Sequence, residues 1–474
     1  MNNQKVFSAF LVFLFLGSFM FTIYSRHHQE GLIPSEKKSL PVKVKEVNDP
    51  LVNSNMEELL SNPGEQNETI SLIIKFKSSH YQEGLSMVSK IKHITIKKYF
   101  RIFSMIQVSG KVKYLKAILK IPHVQSISHD EASRVNLNEN ILSKIGSSSS
   151  STESPDVSKL IGMEELSSKS IAKSSKGKDI VIAILDSGID VLGQIGGDLD
   201  DFDDNASTID PKLYGSTSMV SYEPLYYSDF RGSGTYHAGV AAGTGANNPE
   251  YEGVAPDSYV LNVKVIDSLG LTYPSFVISG LQWAFLHDAD VIALPWTFPG
   301  FYSDAISLAV NELNDKGVIV VVPTGDDGPA YTSILTPGQS LNAITVGAYN
   351  HLTMGVANFS ARGPTYDFRT GPDVVAPGVN VVGPRVDLEP SISGISADLL
   401  GLQDSGLTLP DYQANAPVFG RPINENYTRL SSSTSSTAIV AGSCAILLSM
   451  YPLAPPELIK ASLMKTATPL VGSP

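Results

Sequence analysis

The 474-residue chain holds a single cysteine, Cys444, and only 17% of its residues are charged. One thiol permits no internal disulfide and no cysteine-based metal site, so the fold must hold without covalent staples. It neither supports nor excludes an oxidising compartment. Basic residues are also scarce, 35 Lys and Arg against 47 Asp and Glu, for a net charge of -12. That balance argues against nucleic acid as the main partner, because such affinity rests on cations that neutralise phosphates, and leaves room for a local basic patch. An apolar content of 42% excludes a disordered or collagenous chain. The length suggests two or three globular units.

An uncharged stretch runs from Val6 to Tyr24, between Lys5 and Arg26. It is close to the ~20 residues that cross a bilayer as a helix. No small-x-small cleavage site follows, so residues 1–26 read as a signal peptide or as an uncleaved membrane anchor, and the protein as exported, anchored or secreted. Charge points the other way: Arg26, Lys37, Lys38, Lys43 and Lys45 follow the span, which favours an internal C-terminal side.

Residues 27–68 are polar and aperiodic and read as a linker. From Thr69 the pattern changes to strand, amphipathic stretch, two strands, helix and strand, ending near Val135. That order is βαββαβ, a small α+β ferredoxin-like domain over 69–135. A Ser-rich linker over 136–158 follows. The small domain carries 12 Lys and Arg against 3 acids, while 177–474 carries 12 against 31. Opposite signs favour docking of the small domain on the large one.

Over 159–474 short apolar strands alternate with helix-length segments: DIVIAILDSG, HAGVAAG, YVLNVKVID, FVISGLQWAFLHD, ADVIALPW, ISLAVNELNDKG, VIVVVPTG, NAITVGAYN and AIVAGSCAILLSMY. This predicts an α/β domain with a doubly wound, mostly parallel sheet. Sites in such sheets lie at the carboxyl ends of strands, which singles out Asp186, the turn after Val322 and the Ser-rich loop before the last helix.

ILDSGID, GSGTYHAGVAAGTGANN, VVVPTGDDGPA, FSARGPTYDF, PDVVAPGVNV and SSSTSSTAIVAG resemble, in order, the landmark segments of the subtilases, the subtilisin-like serine peptidases. The small domain is similar to that family's propeptide, which assists folding and blocks the active site. The resemblance implies the subtilisin-type fold and peptide-bond hydrolysis, and its motifs place the machinery. A serine nucleophile needs an imidazole, an orienting carboxylate and oxyanion donors. Asp186 sits at the position of the retained acid. H-G-T-H-V-A-G falls on Ser233 to Gly239, so Ser233 stands where the base should be. G-T-S-M-x-x-P falls on Ser432 to Ala438, so Thr434 stands at the nucleophile. G-N-x-G reads Gly325, Asp326, Asp327, Gly328, which puts an acid where the oxyanion amide belongs.

The strand that pairs with substrate in the family ends here at Leu294, Pro295, Trp296 and Thr297, and proline removes a needed N–H. His237, one helical turn beyond Ser233, is the nearby candidate for a substitute base. Helix rise places it about 6 Å too deep, packed on its own helix. Ser433 and Ser435 are the corresponding alternatives to Thr434. The expectation is therefore a pseudopeptidase that binds a peptide or protein, its own propeptide-like domain included, with a serine endopeptidase of rearranged triad as the alternative.

No cofactor is required by this reading. Asp198, Asp200 and Asp203, in GGDLDDFDDNAS, offer oxygen ligands for calcium, or form an acidic solvated loop. Asn67, Asn205, Asn358 and Asn426 match the short N-x-S/T pattern. Cys444 is expected in the core. The chain stops at Pro474, soon after the last apolar helix, where the family usually continues.

Overall fold

The computed structural model describes residues 51–52, 60, 63–135, 157–162, 176–190, 200–202, 212–223, 227–386, 420–424 and 426–470. The expected signal peptide or membrane anchor (1–26) and most of the Ser-rich linker lie outside these.

The small unit begins earlier than the sequence pattern suggests. Strand β1 (Leu51–Val52) precedes β2 (Thr69–Phe76), helix α1 (Tyr81–Val88), β3 (Ile94–Phe100), β4 (Met105–Lys111), the short α2 (Val112–Leu115) and β5 (Val124–His129). The sheet order is β1-β5-β2-β4-β3. Without β1 this is the 4-1-3-2 order of a split βαβ, the ferredoxin-like arrangement. The linker assigned to 27–68 is thus corrected in part: β1 pairs parallel with β5, and Leu60 is buried among the core side chains of this unit. Two-residue strands and lone leucines carry no periodic signal, so their docking is a tertiary effect.

Strand β6 (Ser133–Arg134) leads to the short helix α3 (Val157–Leu160) and the large unit. There β7 (Val181–Asp186), β8 (Leu213–Ser218), helix α4 (Ser233–Ala242), β9 (Tyr259–Lys264), β10 (Leu271–Thr272), α5 (Pro274–Leu286), β11 (Val291–Ala293), α6 (Ala305–Asp315), β12 (Ile319–Pro323) and β13 (Ile344–Asn350) follow. The chain continues through β14 (Gly355–Val356), β15 (Val374–Pro377), β16 (Val381–Pro384), β17 (Arg421–Pro422), β18 (Tyr427–Leu430), α7 (Ser433–Met450) and α8 (Pro456–Thr466). The main sheet runs β14-β13-β12-β11-β7-β9-β8, with β15 also on β13, and every pairing but β13–β14 is parallel. Strand order reverses at β7, so the topological switch point falls at the end of the strand that carries Asp186.

Helices α4 and α7 pack on one face of the sheet, α5 and α6 on the other. All of β7, β11 and β12 are buried, as strands covered on both faces must be. Helix α7 is long and apolar enough to cross a bilayer, but 78% of it is buried inside the protein, which makes it a core helix. Cys444 lies on it, fully buried, and burial pushes its thiol up to about 12, so it is unreactive at neutral pH.

The small sheet docks on the outer side of α5 and α6. Ile73, Phe100, Phe103 and Met105 join the large unit's core. Polar contacts fix the orientation. Lys75 pairs with Glu312 of α6 and donates to Phe103 O at 2.7 Å. Asp130 Oδ1 accepts from Ser275 N at 2.8 Å, capping the first turn of α5. The end of the small unit then adds a strand to the large one, β6 lying antiparallel on β10 with Val135 N donating to Gly270 O at 2.9 Å.

Candidate functional site

Asp186 ends β7 at the switch point and is 1% exposed. Its Oδ1 accepts from Ser187 N at 2.7 Å and from Ser233 Oγ at 2.6 Å. Its Oδ2 meets His237 Nδ1 at 2.8 Å. One carboxylate therefore holds two residues of α4 that stand four apart and share a helix face.

The start of α4 is held against β7 by two devices. Asp229 caps it, Oδ1 accepting from Gly232 N at 2.7 Å and Oδ2 from Thr235 N at 2.9 Å. Gly234 lets the backbones touch: a Cβ there would lie 1.9 Å from Gly188 O.

The outcome for His237 differs from expectation. The ring does not simply pack on its helix; Nε2 lies 2.9 Å from Thr434 Oγ1. The contact exists because Thr434, in the first turn of α7, also points inward, so the whole relay sits one helical turn deeper than a base at position 233 would. Tyr236 lies edge-on to the ring at 5.2 Å, and its hydroxyl meets Ser435 Oγ at 2.9 Å and Val381 O at 3.0 Å. Ser435 is thereby committed away from His237, and Ser433 is buried in the first turn of α7.

The network continues past Thr434. Thr434 Oγ1 lies 2.9 Å from Ser432 Oγ, and Ser432 Oγ lies 2.6 Å from Asp326 Oδ2. Four contacts link Asp186, His237, Thr434, Ser432 and Asp326, and each needs one proton. A neutral imidazole and two hydroxyls bring three. The fourth belongs to His237 when the hydroxyls run towards Asp326; when they run the other way it belongs to the Asp326 carboxyl, and Thr434 donates to His237. Burial pushes the Asp326 carboxyl above the usual carboxylate range, hydrogen bonds from Ser432 and Ser433 offset part of this, and the Asp327 charge adds to it.

Both arrangements consume the groups that could bind an oxyanion. Thr434 N donates to Ser432 Oγ at 3.0 Å, and Ser433 N donates to Asp326 Oδ1 at 2.8 Å. Ser432 caps the helix and Asp326 Oδ1 accepts from its first residue, so two N–H groups at the N-terminus of α7 are satisfied from within. None of the five linked residues is more than 3% exposed.

Leu294, Pro295 and Trp296, expected to line a substrate strand, are interior. The backbone pairing shows how these residues are held. Leu294 N donates to Val321 O at 3.1 Å, Trp296 N donates to Leu294 O at 2.9 Å, and Pro295 has no N–H. The Trp296 indole donates to Leu185 O at 2.7 Å and is fully buried. No N–H of these three residues faces a peptide. Elsewhere, β10 is paired antiparallel by β6 of the same chain. Of the expected calcium ligands, Asp198 and Asp203 lie outside the described residues, and Asp200 is placed only as the first residue of the turn Asp200–Phe202. Sequence reasoning missed Asp229 and Ser432 as organising residues. The signal for Ser432 was its place as a serine immediately ahead of a long apolar helix, a capping position.

The raised Asp326 carboxyl makes a testable difference. In the folded state Asp326 holds its proton above the ~3.9 of an unfolded aspartate. Folding therefore takes up a proton, and this contribution to stability is full below about pH 4 and falls as pH rises towards the folded-state value. An asparagine donates through its amide and removes the titration. Asp326→Asn is expected to gain stability relative to the native chain as pH rises through that window. Parallel pH profiles in chemical denaturation would show instead that Asp326 is ionised in the fold.

Comparison with known proteins gives a consistent frame. The family model described as the subtilase family matches residues 177–473. The chain is similar to serine protease AprX of Bacillus subtilis, 27% identical over 311 residues that cover 62% of this chain and 62% of AprX. It is 28% identical over 304 residues to subtilisin DY of Bacillus licheniformis, covering 64% of this chain and 88% of that protein. Among solved structures it is similar to fervidolysin from Fervidobacterium pennivorans, a keratinolytic enzyme related to subtilisin, with a TM-score of 0.57 and 19% identity, covering 90% of this chain and 60% of fervidolysin. The last likeness concerns the fold alone. The chain thus spans about three fifths of the length of AprX and of fervidolysin.

Proposed function

Because this chain belongs to the subtilase family of serine peptidases, we propose that it is a non-hydrolytic member, exported through its N-terminal apolar segment, that binds an extended peptide rather than cutting it. The observation that carries this reading is the internal use of the first two N–H groups of α7: Thr434 N is spent on Ser432, and Ser433 N on Asp326. A tetrahedral oxyanion formed at Thr434 meets a carboxyl group and no free N–H from these residues, and acyl transfer depends heavily on donors preorganised around that oxyanion. Burial of the hydroxyl supports the same reading. What the fold keeps is a strand edge, β10, that holds an extended segment, and the chain's own Ser133–Arg134 is the occupant seen there. Strand addition of this kind needs no catalytic group.

A second reading, a serine-type hydrolase with a substitute base, is favoured by one specific observation. Asp186, His237 and Thr434 form a continuous relay at 2.8 and 2.9 Å. The two readings separate in one assay. The purified full chain is incubated with a broad peptide library and with a fluorophosphonate probe, beside a Thr434→Ala variant. The expected result is no turnover and no labelling above that variant. Turnover by the native chain that disappears in Thr434→Ala would establish the relay as catalytic.

A further inference from the structure

Away from the relay, one cluster of side chains in the small unit carries ligand chemistry. His80 closes the turn Ser78–His80 and directly precedes α1, whose first turn contains Glu83. His123 lies in the turn that enters β5, with a left-handed φ of 65°. Backbone contacts hold the two histidines together: Lys77 N donates to His123 O at 3.0 Å, and His80 N donates to Lys77 O at 2.8 Å. The imidazole rings stack with centroids 3.6 Å apart at 18°. One ligand atom from each of His80, Glu83 and His123 lies within 4.8 Å of the others.

The donor set decides what such a cluster can hold. Two imidazole nitrogens and one carboxylate oxygen suit zinc and its late first-row neighbours, whereas calcium and magnesium require oxygen. Zinc–ligand bonds of about 2.0–2.2 Å put the ligand atoms of a tetrahedral site within about 3.5 Å of one another, inside the 4.8 Å that bounds this cluster. The histidines are half-buried and Glu83 is exposed, so their side chains are not locked by the core. Ser79 Oγ lies 2.8 Å from His80 Nδ1. With Nδ1–H donating to this hydroxyl, Nε2 presents its lone pair, the outer-shell arrangement by which ligating histidines are oriented. Among the described residues three ligands make up the cluster, which leaves a coordination position for water or an incoming group.

We propose that His80, Glu83 and His123 form a binding site for a divalent transition metal of the zinc class. The metal clamps the start of α1 to the entry of β5, joining parts of the small unit that lie far apart in sequence. The site is independent of whether the large unit hydrolyses peptides.

The test uses the full chain without a purification tag, stripped with EDTA and titrated with Co²⁺ by electronic absorption and with Zn²⁺ by calorimetry. One equivalent is expected to bind saturably. His80→Gln, Glu83→Gln and His123→Asn should each weaken it at least about tenfold, the lower bound of what even an outer-shell partner is worth. Asparagine is chosen at position 123 because it tolerates the left-handed backbone. Circular dichroism of these partly exposed variants should be unchanged, so weakened binding is not unfolding. Absence of saturable one-to-one binding, undiminished binding in a His80→Gln/His123→Asn double variant, or displacement by Ca²⁺ would each overturn the assignment.

Discussion

Replacement of His237 by alanine is expected to lower stability by about 3–5 kcal/mol, the usual cost of leaving a buried charged partner uncompensated. The side chains of His237 and Asp186 are both fully buried, and their contact is 2.8 Å. Alanine removes the group facing Asp186 Oδ2 and leaves Thr434 Oγ1 without its imidazole partner. In a domain of this size a loss of that order lowers Tm by roughly 6–20 °C. Catalytic residues behave differently, because active sites are commonly held at the expense of stability and their removal is often neutral or favourable. Thermal denaturation of native chain and variant therefore distinguishes a structural relay from a working one. A shift near zero, or a gain, would sink the non-hydrolytic reading.

The second large effect is a gain. Restoring the family residues at Ser233, Thr434 and Asp326 alone is expected to leave the chain inert. His237 would still hold Asp186 Oδ2, and Ser432 Oγ would still occupy the N–H of residue 434. Adding His237→Val and Ser432→Gly, also the residues of the family motif, frees both groups. The five-site variant, Ser233→His, His237→Val, Asp326→Asn, Ser432→Gly, Thr434→Ser, is expected to turn over peptides at least 10³-fold faster than the native chain. That is a modest part of the ~10⁶-fold that loss of a nucleophile or base removes. The measurement is kcat/KM on a broad peptide substrate, with circular dichroism to confirm folding. A folded but inert five-site variant would show that the five replacements do not by themselves account for the expected lack of turnover.

Much of the fold was legible because it rests on local periodicity. Fully apolar runs such as Val181–Leu185 and Ile319–Val322 announce buried parallel strands, and the alternation with helix-length segments announces the doubly wound sheet. The small unit's βαββαβ order was equally readable. Its added strand at Leu51–Val52 was not, since two residues carry no period. Strand β8 escaped for a related reason: LYGSTS is polar and half-buried, and it pairs with β9 only because the sheet is already formed.

The site divides in the same way. Ser233, Asp326 and Thr434 were singled out by register within ungapped motifs, and the structure draws all three into contact with one buried network. The role of His237 was not readable. Helix rise gives its depth along α4, but not that Asp186 and Thr434 meet it at that depth. The place of Asp186 follows from β7, and that of Thr434 from α7, which lies 197 positions from His237 in sequence.

The amino-acid sequence by itself determined the family, the order of elements and the absence of a histidine and a serine at their expected positions, because these are properties of residue identity and local spacing. Only the tertiary structure decided that the replacements form a closed network. Whether a buried hydroxyl faces solvent, a helix dipole or an imidazole depends on how closely α4 and α7 approach β7. That approach is set by contacts such as Gly234 against Gly188 O and by the caps at Asp229 and Ser432, which join residues that no local pattern connects.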